Sequence, residues 1–269
     1  MTSTASIKKL DINSLQLHKI FGFVGRRESG KTTLMMDFMY HFRNKFHWGI
    51  VMCGSEDTQG AFGKAIPKEF IYTEWVPDKV SEIFKTQEDT KKAGLPMENV
   101  FIIIDDCSFD TSIFKDKVMR RLFMNGRHYN ITILISTQYL IDMPPGLRSM
   151  VDYVFSCIEI NEANIKKLYI NFYGCVPTFK MFRNVFSQCT TNFECIFVNT
   201  LSRSKDYIDA LRWYKAAVHK ATFHVGSNTF WLTARKMREA AKQKNKRDNK
   251  KRKLVSESDE EENVKRICL

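Results

Sequence analysis

The stretch "KIFGFVGRRESGKTTLMMDF", residues 19–38, decides the fold of this chain. It contains the pattern G-x-x-x-x-G-K-[ST] at every specified position, as Gly25, Gly30, Lys31 and Thr32. The apolar run before the pattern predicts a short buried strand over 19–25. Apolar residues at helical spacing after it predict a helix over 31–46. A strand leading through a glycine-rich loop into a helix is the context in which this pattern binds phosphate, so an empty loop of chance origin is the weaker interpretation.

The residue types of the loop suit a nucleoside triphosphate with its metal. Glycines let backbone N–H groups surround a phosphate, and the helix dipole adds to the attraction. Lys31 is expected to reach the β- and γ-phosphates, and the Thr32 hydroxyl to bind Mg²⁺. We therefore predict an ATP site with Mg²⁺ whose binding residues are Gly25, Arg26, Arg27, Glu28, Ser29, Gly30, Lys31, Thr32 and Thr33.

Two arginines occupy variable positions of this loop. Arg26 or Arg27 can sense the γ-phosphate of the same chain, or both can be solvated and hold polyanions without specificity. The solvated interpretation is favoured.

Two carboxylates follow the clearest strand, "NVFIIIDD" (99–106). Its apolar run is continuous, as expected for a strand buried on both faces. Asp105 is predicted to hold Mg²⁺, directly or through water, and Asp106 to orient or deprotonate the attacking water. Glutamate is commoner than aspartate at the second position, and aspartate is one methylene shorter, so the water must sit closer. The alternative is that two adjacent acids begin a turn.

Three further polar residues are candidates for the catalytic set. Gln138 ends the buried strand "ITILISTQ" (131–138), where it is predicted to report loss of the γ-phosphate, unless it is an ordinary strand cap. Either Arg148, in "PPGLRSMVDYVF", or Arg127, in "NGRHYN", can reach the γ-phosphate of a neighbouring subunit, and Arg148 is favoured for this role. Arg127 can instead form a contact in its own chain or a salt bridge. A plain surface role is the alternative for both arginines.

The remaining pattern alternates strands and helices. Further strands are expected at 48–54, 70–75, 152–160 and 194–200, and helices at 77–94, 112–128, 161–173, 177–187 and 209–220. This order predicts a three-layer α/β/α P-loop fold with a mostly parallel, doubly wound sheet.

Charge and composition divide the chain of 269 residues into segments. The net charge is +12, which favours a polyanionic partner such as nucleic acid. Residues 235–253 contribute +9, from eleven basic and two acidic residues, and 254–269 contribute −3, which leaves +6 on 1–234. We predict an N-terminal extension over 1–17, a P-loop ATPase domain over 18–234, and a disordered basic, then acidic, tail over 235–269.

Several other classes of protein are disfavoured. The seven cysteines are odd in number and show no C-x-x-C spacing, so we expect reduced thiols inside a cell. No run approaches the roughly 18 apolar residues of a membrane helix, so no membrane partner is expected.

Four segments together resemble a known family: "FVGRRESGKTTL", "VFIIIDDC", "NGRHYNITILISTQYLIDMPPGLRSMVDYVF" and "RWYKA". Their order and spacing are similar to the poxvirus A32-like genome-packaging ATPases of nucleocytoplasmic large DNA viruses, in the FtsK–HerA branch of P-loop ATPases. The resemblance covers roughly residues 18–215. Asp106 departs from the glutamate usual in that branch.

The resemblance implies an additional-strand, catalytic-glutamate-type core and a homo-oligomeric ring. It also implies that ATP hydrolysis drives double-stranded DNA into a preformed capsid, with a capsid vertex or capsid protein as partner. The basic run "KRDNKKRKL" in the tail is typical of a nuclear-localisation signal and of a segment that holds DNA phosphates. The expected location is therefore the host nucleus or a cytoplasmic viral factory, with association to the virion.

Two other functions remain open at this point. One is a viral nucleoside or nucleotide kinase, which uses the same loop but needs an arginine-rich lid that is not evident. The other is a non-enzymatic DNA- or capsid-binding subunit that holds ATP only as a structural ligand.

Overall fold

A computed structural model describes residues 7–106, 111–138, 143–204 and 206–244. The chain forms two compact units, Met1–Ser227 and Asn228–Leu269. Within the second unit the described part is a helix over 228–244. The predicted nuclear signal and acidic run lie outside the described residues, as does Cys107.

The first unit contains one eight-stranded sheet with helices on its faces. The strands are β1 (Ile20–Val24), β2 (Trp48–Cys53), β3 (Ile71–Tyr72), β4 (Val100–Asp105), β5 (Ile131–Thr137), β6 (Tyr153–Ser156), β7 (Glu194–Asn199) and β8 (Leu211–Lys215). The helices are α1 (Lys31–Phe42), α2 (Glu56–Phe62), α3 (Pro77–Lys92), α4 (Lys117–Asn125), α5 (Pro145–Arg148), α6 (Glu162–Phe172), α7 (Phe179–Cys189) and α8 (Tyr207–Ala210).

The sheet has the strand order β3-β2-β4-β5-β1-β6-β7-β8. Pairings from β3 to β6 are parallel, whereas β7 is antiparallel to both β6 and β8. The strand β5 separates β1, which leads into the glycine-rich loop, from β4, which carries the two acids. This is the additional-strand arrangement, and the predicted mostly parallel P-loop fold is confirmed.

One edge of the sheet collects the ends of many strands. The carboxyl ends of β1, β4 and β5 lie there, because parallel strands point the same way, and Asp105 is level with Cys53 and Ser136. Since β7 is antiparallel to β6, its first residue also lies at this edge, and Glu194 is level with Lys215, the last residue of β8. The sheet therefore brings residues from both of its halves to the glycine-rich loop.

Aromatic side chains hold α1 against the sheet. The Phe38 ring lies 4.6 Å from Phe21 of β1 and 4.4 Å from Phe42. Phe23 stacks on Phe155 of β6 at 5.1 Å. Every residue of β1, β4, β5 and β6 is buried, as expected for strands covered on both faces.

The helix predicted over 209–220 is wrong. Residues 207–210 form the short α8, and the chain then enters β8. Leu211 and Tyr214 are buried, and pairing with β7 satisfies the backbone groups of this aromatic-rich segment. Local spacing suggested a helix because it does not reveal an antiparallel partner strand.

Two other segments have structure that the sequence pattern did not show. Residues 54–66, for which no helix was predicted, contain α2, which Ser55 caps by accepting from the Thr58 amide. The N-terminal extension packs on β8: Leu10 N donates to Trp213 O at 2.9 Å, and Trp213 N donates to Lys8 O at 3.1 Å. No helix in the described part of the chain is both long and apolar enough to cross a bilayer.

Candidate nucleotide site

The glycine-rich loop depends on its glycines at two positions. A Cβ on Gly25 would lie 2.5 Å from Ser29 Oγ and 2.8 Å from Cys157 Cβ, so a larger residue does not fit there. Gly30 caps α1 with φ = 92°, a conformation that favours glycine. The loop is thus compact enough to turn its N–H groups toward one ligand.

Lys31 lies inside this loop. Its side chain is buried, with 7% of the residue exposed. Nζ donates to the backbone oxygens of Gly25 at 2.7 Å and Arg26 at 3.1 Å. These contacts hold the ammonium group against the loop, where it would bind the phosphates of a nucleotide.

Thr32, Asp105 and Ser136 form one hydrogen-bonded group at the sheet edge. Thr32 Oγ1 donates to Asp105 Oδ2 at 3.1 Å, and Ser136 Oγ donates to Asp105 Oδ1. Burial raises the pKa of Asp105, and the Asp106 charge adds to this, while the two hydroxyl donors and Lys31 oppose it. Bringing a cation to this carboxylate would relieve the cost of burying its charge.

Asp106 faces the cleft that contains the loop. It is partly exposed and has φ = 50°, a left-handed conformation that aspartate tolerates better than most residues. This turn directs the chain away from β4 directly after Asp105. The two adjacent acids therefore have different environments: Asp105 is buried beside Thr32, and Asp106 is open to a ligand or water.

The end of β5 contributes through residues other than the predicted one. Ser136 contacts Asp105, and the buried Thr137 Oγ1 has no hydrogen-bond partner among the described residues. Gln138 follows them, partly buried, but is not among the described residues that line the cleft. Its role as a sensor stays a prediction. The sequence signal for Ser136 and Thr137 is that both are polar residues at the end of an otherwise apolar strand.

The cleft has a volume of about 820 Å³, within the range typical of ligand sites. Its floor is the loop, residues 27–34. We define the polar wall as the side nearest β2 and β4, formed by Gly54, Ser55, Asp57, Thr58 and Asp106. We define the apolar wall as the opposite side, formed by Cys157, Phe193, Cys195, Ala216 and Val218, with Lys215 at its border.

The cysteines of the apolar wall are neutral. Burial raises the pKa of the Cys157 thiol to about 11 and that of Cys195 well above its ordinary value. All five described cysteines are free thiols. The two in the wall act as small apolar side chains.

The loop arginines extend outward. Arg26 and Arg27 are exposed, and Arg27 lines the cleft. Glu28, between Arg27 and the buried Ser29, is exposed with φ = 61°. Thr33 also lines the cleft at the start of α1.

Neither predicted catalytic arginine lies in the cleft of its own chain. Arg148 is partly buried and donates to Asn171 Oδ1 and, at 2.9 Å, to Met143 O. Burial lowers its pKa. These contacts give Arg148 a structural role between α5 and α6, and its predicted action on a neighbouring subunit stays a prediction.

Arg127 is exposed and lies before β5, at the amino end of that strand. The seven residues of β5 place it roughly 20 Å from the loop at a rise of about 3.3 Å per residue. This distance does not favour a contact of Arg127 with the nucleotide site of its own chain, and its catalytic role stays a prediction. Its charge instead lowers the pKa of Asp152, opposing the larger effect of burial.

The residues present fit a nucleotide with a magnesium ion. The described residues contain no cluster of three or more His, Cys, Asp or Glu side chains suited to a metal. Mg²⁺ commonly takes one or two protein oxygens and completes its shell with phosphate and water. Thr32 and Asp105 supply such oxygens next to the loop, and Lys31 supplies positive charge.

No protein-family profile matches the chain. Among curated proteins, it is 33% identical over 213 residues to uncharacterized protein 015R of Frog virus 3, covering 78% of this chain and 66%, just under two thirds, of that protein. It is 30% identical over 226 residues to uncharacterized protein 088R of Invertebrate iridescent virus 3, covering 80% of this chain and 86% of that protein.

Solved structures share the fold. The genome packaging NTPase B204 of Sulfolobus turreted icosahedral virus 2, in complex with AMP, aligns with a TM-score of 0.53 at 14% identity, over 76% of this chain and 100% of that chain. The cytoplasmic domain of the Thermomonospora curvata type VII secretion ATPase EccC aligns with a TM-score of 0.51 at 13% identity, over 78% of this chain and 27% of that chain. With the motifs, the fold and the match to most of 088R together, the chain belongs to the A32-like P-loop ATPase family of nucleocytoplasmic large DNA viruses.

Proposed function

We propose that this chain is an ATP-driven motor that moves double-stranded DNA into viral capsids. The observation that carries the proposal is the joining of Thr32 to Asp105 at 3.1 Å beneath a cleft that Asp106 faces. A loop that only stored a nucleotide would not need a second acid there. The packaging role itself is supported by family membership and by the shared fold with a genome packaging NTPase.

Each residue has a distinct task in this proposal. The loop N–H groups and Lys31 bind the phosphates, and Lys31 exchanges its bonds with Gly25 O and Arg26 O for phosphate oxygens. Thr32 and Asp105 would hold Mg²⁺, which would supply positive charge to offset the charge that develops on the phosphates. Asp106 orients the attacking water and accepts its proton.

The energy of hydrolysis is proposed to move duplex DNA through a homo-oligomeric ring. The net charge of +6 on residues 1–234 and +9 on 235–253 provides electrostatic attraction to phosphates without sequence preference. A capsid vertex or capsid protein would anchor the ring. A location in the host nucleus or in a cytoplasmic viral factory fits a capsid partner, and both curated relatives described above are viral proteins.

The test is steady-state ATP hydrolysis by the purified chain, with and without long double-stranded DNA. Wild type is expected to be stimulated by duplex DNA, and Lys31→Ala and Asp106→Asn are expected to lose turnover. Lys85→Ala is the matched control, since Lys85 is exposed on α3 outside the cleft. Full turnover by Lys31→Ala would refute the proposal.

Other outcomes point to the two alternative functions. Transfer of phosphate to an added nucleoside, without stimulation by DNA, would indicate a kinase. Tight ATP binding without hydrolysis, even with DNA and capsid vertices present, would indicate a subunit that uses ATP as a structural ligand.

A further inference from the structure

An exposed phenylalanine stands beside the phosphate-binding loop. Phe193 is 71% exposed, although burial of a phenylalanine side chain is strongly favourable in water. A Cβ on Gly30 would lie 3.6 Å from Phe193 Cδ1, so the ring edge is next to the start of α1. The ring lines the same cleft as Lys31 and Asp106.

The backbone that presents this ring adopts an unusual conformation. Asn192 and Phe193 have φ of 52° and 60°. Asparagine is often found in this region, but a bulky aromatic residue there is an outlier. The following residue, Glu194, begins β7, so the turn places the ring directly at the sheet edge.

A second apolar element faces the cleft from the segment after β8. Ala216 and Val218 line the cleft, and Val218 is 73% exposed. Phe193 and Val218 therefore present exposed apolar surface in one pocket.

The segment after β8 is anchored to α1. The buried Asp37 of α1 accepts a hydrogen bond from Tyr214 Oη, and His219 Nε2 lies 2.7 Å from Asp37 Oδ1. The His219 ring also stacks on Tyr40 at 3.7 Å. Val218 is thus held between two anchored residues, in a fixed relation to the helix that begins at the phosphate loop.

The strand order orients a nucleotide in the cleft. The two acids lie on the β4 side of β1, whereas β7 and β8 lie on the other side. Phosphates and metal belong with the polar wall, so the opposite end of the nucleotide extends toward the apolar wall. The flat face of a nucleobase can stack on an aromatic ring, and this contact requires no specific hydrogen bonds.

We propose that Phe193 is the platform on which the nucleobase of the bound nucleotide stacks, with Val218 contributing apolar contact. This inference rests on the proposed binding of ATP and adds the site of its base. Phe193 is a binding residue in this view, and the acids of the polar wall act on the other end of the same molecule.

The test compares two ligands by isothermal titration calorimetry. ATP carries a base, whereas inorganic tripolyphosphate keeps the phosphate chain and lacks both base and ribose. Phe193→Ala is expected to weaken ATP binding about 10-fold and to leave tripolyphosphate binding within about 2-fold of wild type. Phe193→Trp, which keeps an aromatic surface, is expected to bind ATP within about 3-fold of wild type.

Two controls separate a binding effect from loss of structure. Ile170→Ala removes a 64% exposed apolar side chain from α6, outside the cleft, and is expected to bind both ligands as wild type does. Thermal melting of each variant checks that the fold is retained.

Three results would overturn the inference. They are unchanged ATP binding by Phe193→Ala, an equal loss of ATP and tripolyphosphate binding, and failure of Phe193→Trp to restore ATP binding. Failure of the proposed function gives a different result. Wild type would bind neither ligand, or it would bind ATP without hydrolysing it. In the second case Phe193→Ala would still bind ATP more weakly than wild type does.

Discussion

The two walls of the cleft border the same space but are built by different means. The polar wall depends on a few residues with irreplaceable chemistry, such as Asp106 and, beneath it, the Thr32–Asp105 pair. The apolar wall is assembled from residues at the end of β6, around the start of β7 and after β8, in the half of the sheet that contains the antiparallel strands.

The difference shows why only one wall has a sequence signature. Binding a metal and phosphates requires particular atoms at particular positions, which restricts residue type and spacing. A surface for an apolar ring requires only size and flatness, and many side chains meet that need. The first requirement therefore produces a motif in the sequence, whereas the second produces none.

The largest expected effect is on kcat, and it comes from a residue of the polar wall. Asp106→Asn is expected to lower kcat about 100-fold or more, because the amide cannot accept the proton of the attacking water. ATP affinity should remain within about 3-fold of wild type, since hydrolysis rather than binding depends on this group. Steady-state turnover and equilibrium binding measure the two quantities.

Asp57→Asn is the control for that comparison. Asp57 lines the same wall but lies in the first turn of α2. An equal loss of kcat in both variants would mean that charge on the polar wall, and not the position of Asp106, accounts for the effect.

A second prediction concerns the support of the apolar wall. Asp37→Ala is expected to lower the free energy of unfolding by about 3 kcal/mol, because it leaves the Tyr214 hydroxyl and His219 without their buried partner. Urea denaturation measures the change. Asp89→Ala, at an exposed position of α3, should change the free energy of unfolding by less than about 0.5 kcal/mol. An equal loss of stability in both variants would show that the buried contacts of Asp37 are not the cause.

A third prediction concerns the cost of burying the carboxylate of Asp105. The pKa of Asp105 is raised in the folded chain, so its protonated form favours folding at low pH and that contribution is lost as pH rises through the folded pKa. Asp105→Asn, which removes the charge, is therefore expected to be more stable than wild type by about 1 kcal/mol at neutral pH without Mg²⁺.

Urea denaturation of both proteins across a range of pH measures this difference in the free energy of unfolding. The advantage of Asp105→Asn should shrink as pH falls below the folded pKa, where wild type is also neutral. The variant should still lack turnover. Greater stability of wild type at neutral pH would show that the hydroxyl donors outweigh burial.

The smallest expected effect lies outside both walls. Arg127→Ala should change ATP affinity by less than about 2-fold, because Arg127 lies at the opposite edge of the sheet, roughly 20 Å from the loop by the rise of β5. Arg27→Ala, in the cleft, should weaken ATP binding several-fold. Binding titrations compare them, and a large effect of Arg127→Ala alone would contradict this placement.

Much of the polar site was predictable because its chemistry is local. Gly25, Gly30, Lys31 and Thr32 lie in one loop, and Asp105 and Asp106 end one apolar strand. The contact of Ser136 with Asp105 was less evident, since it depends on the register between β4 and β5. The strand end was visible, but the residue chosen from it, Gln138, was not the one that contacts the acid.

The two arginines differ in how far the sequence could place them. Arg127 directly precedes β5, so the chain order already puts it at the amino end of that strand, away from the loop that follows β1. The contact of Arg148 with Asn171 joins two separate helices. Only the packing of α5 on α6 could assign it.

By itself, the sequence determined a P-loop fold with a mostly parallel sheet and the phosphate end of the site, because buried strands and phosphate chemistry restrict residue types over short distances. Only the tertiary structure decided that 211–215 is a strand, and that Phe193 and Val218 line the same cleft as Asp106. Those outcomes depend on the reversal of direction at β7, an interaction between distant segments that no local spacing records.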